Sequence, residues 1–193
     1  VSRTVTATDG FNGDLWLFIR SGTSKNIITV SDLSVVANTS IQTTETFAIG
    51  QVEVKHSNGG EGSAVCEYGK ITYEVGAFGT KDNNNELFTP AFTLLNGGAA
   101  SNYVVSFKAK ATQPVKFVFA GPVDGWWDPV FVWGSSEIGT EENTYSFYCN
   151  DVDMDGVKRL VWQFGSYVNA EYTERVTIEI SDIKICFKSD LDG

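Results

Sequence analysis

At 193 residues the chain has the length of one domain, enough to bury a full core without disulfide staples. Its 14 basic and 24 acidic side chains leave a net charge of -10, the wrong sign for nucleic acid or an anionic membrane surface, both of which need clustered Lys and Arg. Aromatics make up 13% of the residues and charged groups 20%, a globular rather than a disordered balance, and no apolar run approaches the roughly 20 residues of a membrane span.

The first stretch of the chain recurs later in it. Asp9-Gly10 precedes Leu15-Trp16-Leu17-Phe18 at the same internal spacing as Asp155-Gly156 precedes Val161-Trp162-Gln163-Phe164. Ile28-Thr29-Val30-Ser31-Asp32-Leu33 then parallels Ile178-Glu179-Ile180-Ser181-Asp182-Ile183, with four extra residues in the second loop. Two consecutive strands therefore occur twice. Residues 1–37 are either the last two strands of an upstream sister module or extra strands of the sandwich formed by residues 38–193. A lone hairpin is marginal in water, and this one carries Trp16, Phe18 and Ile19, so docking on a sheet is expected.

Farther along, β-branched and aromatic residues alternate with polar ones in Lys70-Ile71-Thr72-Tyr73-Glu74-Val75, Tyr103-Val104-Val105-Ser106-Phe107 and Val115-Lys116-Phe117-Val118-Phe119, the pattern of strands. Two more strands are predicted at Asn143–Cys149 and Val176–Phe187, with turns at Asp82–Asn85 and Asn96–Gly98. No window carries a sustained helical period. The expected fold is all-β, a β-sandwich jelly roll of two antiparallel sheets. Period-2 alternation sends Val105, Phe107 and Ala109 into its core and Ser106, Lys108 and Lys110 to water.

Cys66, Cys149 and Cys186 are odd in number and too widely spaced for a zinc knuckle or a redox pair. Free thiols packed as small hydrophobes are the favoured reading, with a Cys66–Cys186 bridge as the alternative.

The most informative stretch is Gly121-Pro122-Val123-Asp124-Gly125-Trp126-Trp127-Asp128-Pro129. Neighbouring side chains on an extended backbone point to opposite sides, so one of the two tryptophans is expected to leave the core. An indole face offers large contact area for the C–H face of a sugar ring. Trp133, in the next strand, is expected in the core. Asp151-Val152-Asp153-Met154-Asp155-Gly156 opens like an EF-hand loop, but its twelfth position is Trp162 where a bidentate carboxylate is required. It is read as an acidic hairpin turn with at most a weak structural calcium contact; no other cofactor is expected.

Hydrolytic chemistry finds little support. A glycosidase needs two carboxylates facing each other across a cleft, and the nearest pattern, Glu179-Ile180-Ser181-Asp182, is followed by Lys184 where another acid is wanted. His56 is the single histidine, expected on the surface of a strand, which leaves no Ser-His-Asp set and no histidine pair for a catalytic metal. The chain is therefore expected not to be an enzyme.

From about Gly62 to Phe187 the order of these signals resembles the carbohydrate-binding modules of families four, nine and twenty-two. The residues that carry the resemblance are Tyr103-Val104-Val105-Ser106-Phe107-Lys108-Ala109-Lys110-Ala111, the Gly-Trp-Trp turn, Arg159-Leu160-Val161-Trp162-Gln163-Phe164-Gly165 and Val176–Ile183. The resemblance implies a jelly roll whose concave sheet forms a groove for a β-linked polysaccharide such as β-glucan, xylan or a related hemicellulose. It also implies an attached glycoside hydrolase and a secreted or cell-surface location. By the same resemblance Trp126 or Trp127 stacks on sugar, and Gln163 hydrogen-bonds hydroxyls from the groove. Glu86, in Glu86-Leu87-Phe88, is a weaker polar candidate, and Tyr167, four residues beyond Gln163, completes the set. Alternation agrees for Gln163: with Leu160, Trp162 and Phe164 in the core, Arg159, Val161 and Gln163 face the other side. In the upstream copy Leu17 stands in place of Gln163. Two other functions stay open, a glycoside hydrolase or lyase domain and a structural jelly roll of a bacterial surface protein.

Overall fold

The computed structural model describes residues 47, 51–94, 101–124, 128–129, 134–165, 169 and 174–188. Contacts along the chain divide it into residues 1–38 and 39–193, and every described residue belongs to the second unit. The docking expected of residues 1–37 falls outside them.

Among the described residues, eleven strands follow one another: β1 (Glu53–His56), β2 (Gly60–Glu67), β3 (Lys70–Phe78), β4 (Asn85–Phe88), β5 (Ser101–Ala111), β6 (Val115–Asp124), β7 (Asp128–Pro129), β8 (Gly134–Ile138), β9 (Asn143–Val152), β10 (Arg159–Gln163) and β11 (Val176–Phe187). Five form one antiparallel sheet in the spatial order β2-β3-β11-β5-β9. Six form the other, β1-β4-β10-β6-β7, with β8 also paired to β6. Only the β2–β3 and β6–β7–β8 connections stay within one sheet; every other connection crosses between them. This is the jelly-roll β-sandwich expected from the alternation and turn spacing.

Each sheet turns one face inward. Val105, Phe107 and Ala109 of β5 are buried as their period-2 pattern requires, while Lys110 is exposed. Across the interface Leu160, Trp162 and Phe164 are fully buried. The Phe107 and Trp162 rings meet edge to face with centroids 5.2 Å apart, and Phe119 lies 5.6 Å from the same indole. Edge-to-face contact places the positive rim of one ring on the negative face of the other, so the two sheets lock at this point.

The β2–β3 turn is a tight two-residue reversal. Glu67 pairs with Lys70, leaving Tyr68-Gly69 as a two-residue loop with φ of 51° and 75°. Positive φ at both central positions is the turn that matches strand twist. At the other end of β2, Gly60 is required by close approach: a Cβ there would stand 2.1 Å from the Asn84 carbonyl oxygen.

Two expectations change. The acidic segment Asp151–Gly156 is no hairpin turn but the crossing from one sheet to the other, since β9 pairs with β5 whereas β10 pairs with β4 and β6. Its turn comes from Asx-type bonds, with the Asp155 N–H donating to Asp153 Oδ1 at 2.8 Å and the Gly156 N–H to Asp155 Oδ1 at 2.9 Å. Such bonds reverse the chain whatever sheet it enters next. For the same reason β10 and β11, the second copy of the repeated strand pair, lie in different sheets rather than forming a hairpin. The predicted Asp82–Asn85 turn is a short 3-10 turn at Asp82–Asn84, and Asn85 already opens β4. All three cysteines are free thiols, so Cys66 and Cys186 form no bridge; burial pushes the Cys149 thiol up to about 12.

Candidate functional site

The candidate site grows from the start of β4, which two buried asparagines fix in place. Asn84 Oδ1 accepts from the Lys81 N–H at 2.8 Å and the Thr80 N–H at 2.9 Å, while its Nδ2 donates to Ser57 Oγ at 2.7 Å. Asn85 donates to the Ala77 carbonyl and accepts from the Tyr73 hydroxyl at 3.3 Å. Burial drives the Tyr73 pKa upward, so that hydroxyl stays a donor. These bonds hold Glu86, the next residue, in one register.

In that register Leu87 lies opposite Trp162 and Glu86 opposite Gln163. Leu87 and Trp162 point into the core, so alternation turns Glu86 and Gln163 to the outward face. Gln163 Nε2 donates to Glu86 Oε1 at 2.7 Å. Both side chains are nearly inaccessible to water, at 4% for Glu86 and 1% for Gln163. Gln163 Oε1 is buried with no hydrogen-bond partner among the described residues. An unpaired buried carbonyl costs about 1–3 kcal/mol relative to a satisfied one, so this oxygen is poised for a hydroxyl or amide donor.

Around the pair the outward face is apolar. Phe88, Ala120, Val123 and Val161 form a buried cluster separate from the main core. At the β1 side charge returns: Arg159 pairs with Glu53, Lys55 stands 3.6 Å from Glu53 Oε1, and the Lys55 ammonium lies 4.5 Å above the Phe88 ring. The hydrogen bond from Arg159 holds the Glu53 carboxyl below its ordinary value. The face thus combines an apolar floor, one carboxylate–carboxamide pair and a half-buried charged rim.

The other sequence candidates fall elsewhere. Trp126, Trp127 and Tyr167 lie outside the described residues, as does Trp133. The strand ends that flank the two tryptophans are paired, Asp124 with Asp128, next to the Val123–Arg159 pair of the same sheet. His56 ends β1 at the surface as expected. Among the described residues no three His, Cys, Asp or Glu side chains form a group able to hold a metal.

Glu179 and Asp182 lie on the outward face of the other sheet, each bracketed by two ammonium groups. Lys110 and Lys70 approach Glu179 to 3.3 and 3.4 Å, and Lys184 and Lys108 approach Asp182 to 3.0 and 3.5 Å. The hydrogen bond from Lys184 lowers the Asp182 carboxyl. Partial burial would raise Glu179, but its bonds to Lys110 and Lys70 prevail and lower it. A general acid needs the opposite shift.

The sequence named Gln163 and Glu86 as candidates and set Arg159 and Val161 on the face of Gln163, but did not single out Phe88 or Lys55. A signal for the floor was present: Phe117-Val118-Phe119-Ala120 and Leu160-Val161-Trp162 are unbroken apolar runs, which mark strands buried on both faces.

No protein-family model matches the sequence, and no curated protein matches it. Among the solved structures that match, two illustrate the shared fold. A CBM4 structure is 17% identical over 71% of this chain and 86% of its own, with a TM-score of 0.54. The CBM1 of BiXyn10A in its apo form is 15% identical over 74% of this chain and 94% of its own, with a TM-score of 0.55. At these identities the likeness establishes the sandwich.

Proposed function

We propose that the chain is a non-catalytic module that binds a β-linked polysaccharide, a β-glucan, xylan or related hemicellulose, along the outward face of the six-stranded sheet. The observation that carries this reading is the Glu86–Gln163 pair, with its unsatisfied Gln163 Oε1 set in an apolar floor. A sugar presents C–H faces and hydroxyls together, and this face offers the complement of both. Hydroxyls donate to Gln163 Oε1 and accept from the ammonium and guanidinium of Lys55 and Arg159. Because the pair is buried, ligand entry has to uncover it. Trp126, Trp127 and Tyr167 are the proposed stacking residues. Two solved modules with this fold are named as carbohydrate-binding modules, which supports the reading at the level of architecture. On this reading the module is secreted or displayed at a cell surface and delivers an attached glycoside hydrolase to its substrate.

The test is affinity electrophoresis on mixed-linkage β-glucan, xylan and mannan, with reducing-sugar release measured on the same panel. Wild type should be retarded by at least one polymer without releasing sugar. Gln163→Ala should weaken the interaction at least tenfold, about 1.4 kcal/mol. Absence of retardation on every polymer, or sugar release in proportion to protein, refutes the proposal.

A further inference from the structure

The outward face of the five-stranded sheet carries a feature the groove reading does not use. Tyr68 has φ of 51° and a fully exposed side chain, at 103%. Its turn position is one that Asn or Asp fills at little steric cost, whereas a bulky aromatic residue there is an outlier. Asp182, also in the left-handed region at 49°, sits where β11 bulges against β5 between Ser181 and Lys184. Both residues line one shallow, water-open depression of about 260 Å³, together with Lys70, Lys108, Glu142 and Ser181. Strained backbone beside a depression is a mark of binding sites, and the strain at Tyr68 presents a ring to solvent.

The groups around that ring are of mixed sign. Asp182 and Glu142 supply acceptors, Lys70 and Lys108 donors, and Ser181 a hydroxyl that does both. The Lys108–Asp182 and Lys70–Glu179 contacts are long, 3.5 and 3.4 Å, between side chains 31–49% exposed, so they yield readily to competing hydrogen bonds. An anion in this depression meets two carboxylates and a cation meets two ammoniums, whereas a polyol finds both partners for each hydroxyl. A pyranose adds the C–H face that an exposed phenol ring stacks on. The volume lies below the roughly 300–1,000 Å³ of drug-sized sites, which suits a terminal ring or disaccharide rather than a threaded chain.

We infer that the Tyr68–Asp182 cleft is a second saccharide site, one that takes the terminal ring of a neutral glycan on the sheet opposite the Glu86–Gln163 pair. It stands on its own residues and does not depend on the groove reading. The test is an NMR titration of the full chain, following backbone amides, with cellobiose, xylobiose, mannobiose and lactose, and with glucose 6-sulfate as the charged control. At least one neutral disaccharide should produce saturable shifts at Tyr68, Gly69 and Asp182. Tyr68→Asn should weaken that interaction at least tenfold while the melting temperature stays level or rises, because Asn-Gly relieves the turn. Shifts at Glu86 and Gln163 report the groove separately, so either site can fail without the other. The inference is overturned by no saturable shift at the three amides with any neutral sugar, by the sulfated sugar binding more tightly, or by equal affinity in Tyr68→Asn.

Discussion

The outward face of the five-stranded sheet presents Lys70, Lys108, Lys110 and Lys184 to water around Glu179 and Asp182. The outward face of the six-stranded sheet instead buries Phe88, Ala120, Val123 and Val161 beside Glu86 and Gln163. Where the lysines stand the first sheet leaves its outer face to water, whereas the second buries both faces around Gln163. The charged face keeps its ion pairs, 3.0–3.5 Å long, part-exposed, where they exchange readily with water. The apolar face holds the short Gln163–Glu86 hydrogen bond beside its buried floor, shielded from water. Polar groups are energetically cheap on the first and expensive on the second.

What the two faces share is the core between them, and the largest expected effect comes from breaking it. Trp162→Ala removes the indole that packs against Phe107 and Phe119 and should cost about 3–5 kcal/mol. Trp162→Phe should cost clearly less, because among the described residues the indole Nε1 has no hydrogen-bond acceptor and mainly volume is lost. Urea denaturation of the two variants checks this; equal losses would mean that the indole N–H matters after all.

The contrast itself is tested by one substitution on each face. Gln163→Ala loses the 2.7 Å hydrogen bond to Glu86 Oε1 and the packing of a buried side chain, offset in part by removal of the unpaired Oε1, and should destabilise by about 1 kcal/mol. Lys108→Ala, removing a 3.5 Å contact to Asp182, should stay within about 0.5 kcal/mol. Thermal melts at neutral pH read both. If Gln163→Ala is as silent as Lys108→Ala, the outward face of the six-stranded sheet is wetter than its burial indicates.

The two faces also differ in how far the sequence revealed them. In β5 the alternation of Val105, Phe107 and Ala109 with Ser106, Lys108 and Lys110 names both faces at once, because from Val105 onward apolar and polar residues strictly alternate. In β6 and β10 both sides of the strand are apolar, so alternation places Gln163 opposite Trp162 but does not announce that Gln163 is buried. Its partner Glu86 is 77 residues away, and sequence spacing carries no trace of a pairing set by β4–β10 register. The acidic Asp151–Gly156 segment failed in the same way: its turn chemistry is local, while the sheet that β10 joins is decided by Leu87, Phe88 and Val123 far along the chain. Tyr68-Gly69, by contrast, is a local turn whose two strands are its own neighbours, but Tyr stands where the sequence signal of such a turn is Asn or Asp, so it too went unread.

The smallest expected effect belongs to acid. Glu53 is lowered by the hydrogen bond from Arg159, Asp182 by that from Lys184, and Glu179 by its two lysines against the opposing effect of burial. In the unfolded chain these groups titrate at their ordinary values, near 4.5 for Glu and 3.8 for Asp. Folded, they hold out to lower pH, so as the pH falls below about 4.5 the unfolded chain takes up protons that the folded chain refuses. Their stabilisation is complete above that point and drains away as the pH drops through the folded values. Each carboxylate is about a third exposed or more, which limits its share to about 1 kcal/mol or less. Urea midpoints at pH 6, 4 and 3 should decline in low salt and decline less in 1 M NaCl, where screening acts within about 3 Å. Glu179→Gln should flatten the slope slightly by lowering the pH 6 midpoint a little while leaving the pH 3 midpoint nearly unchanged. A midpoint that holds level from pH 6 to pH 3 would mean that the lysine lattice contributes nothing, and that the charged face serves only to meet water.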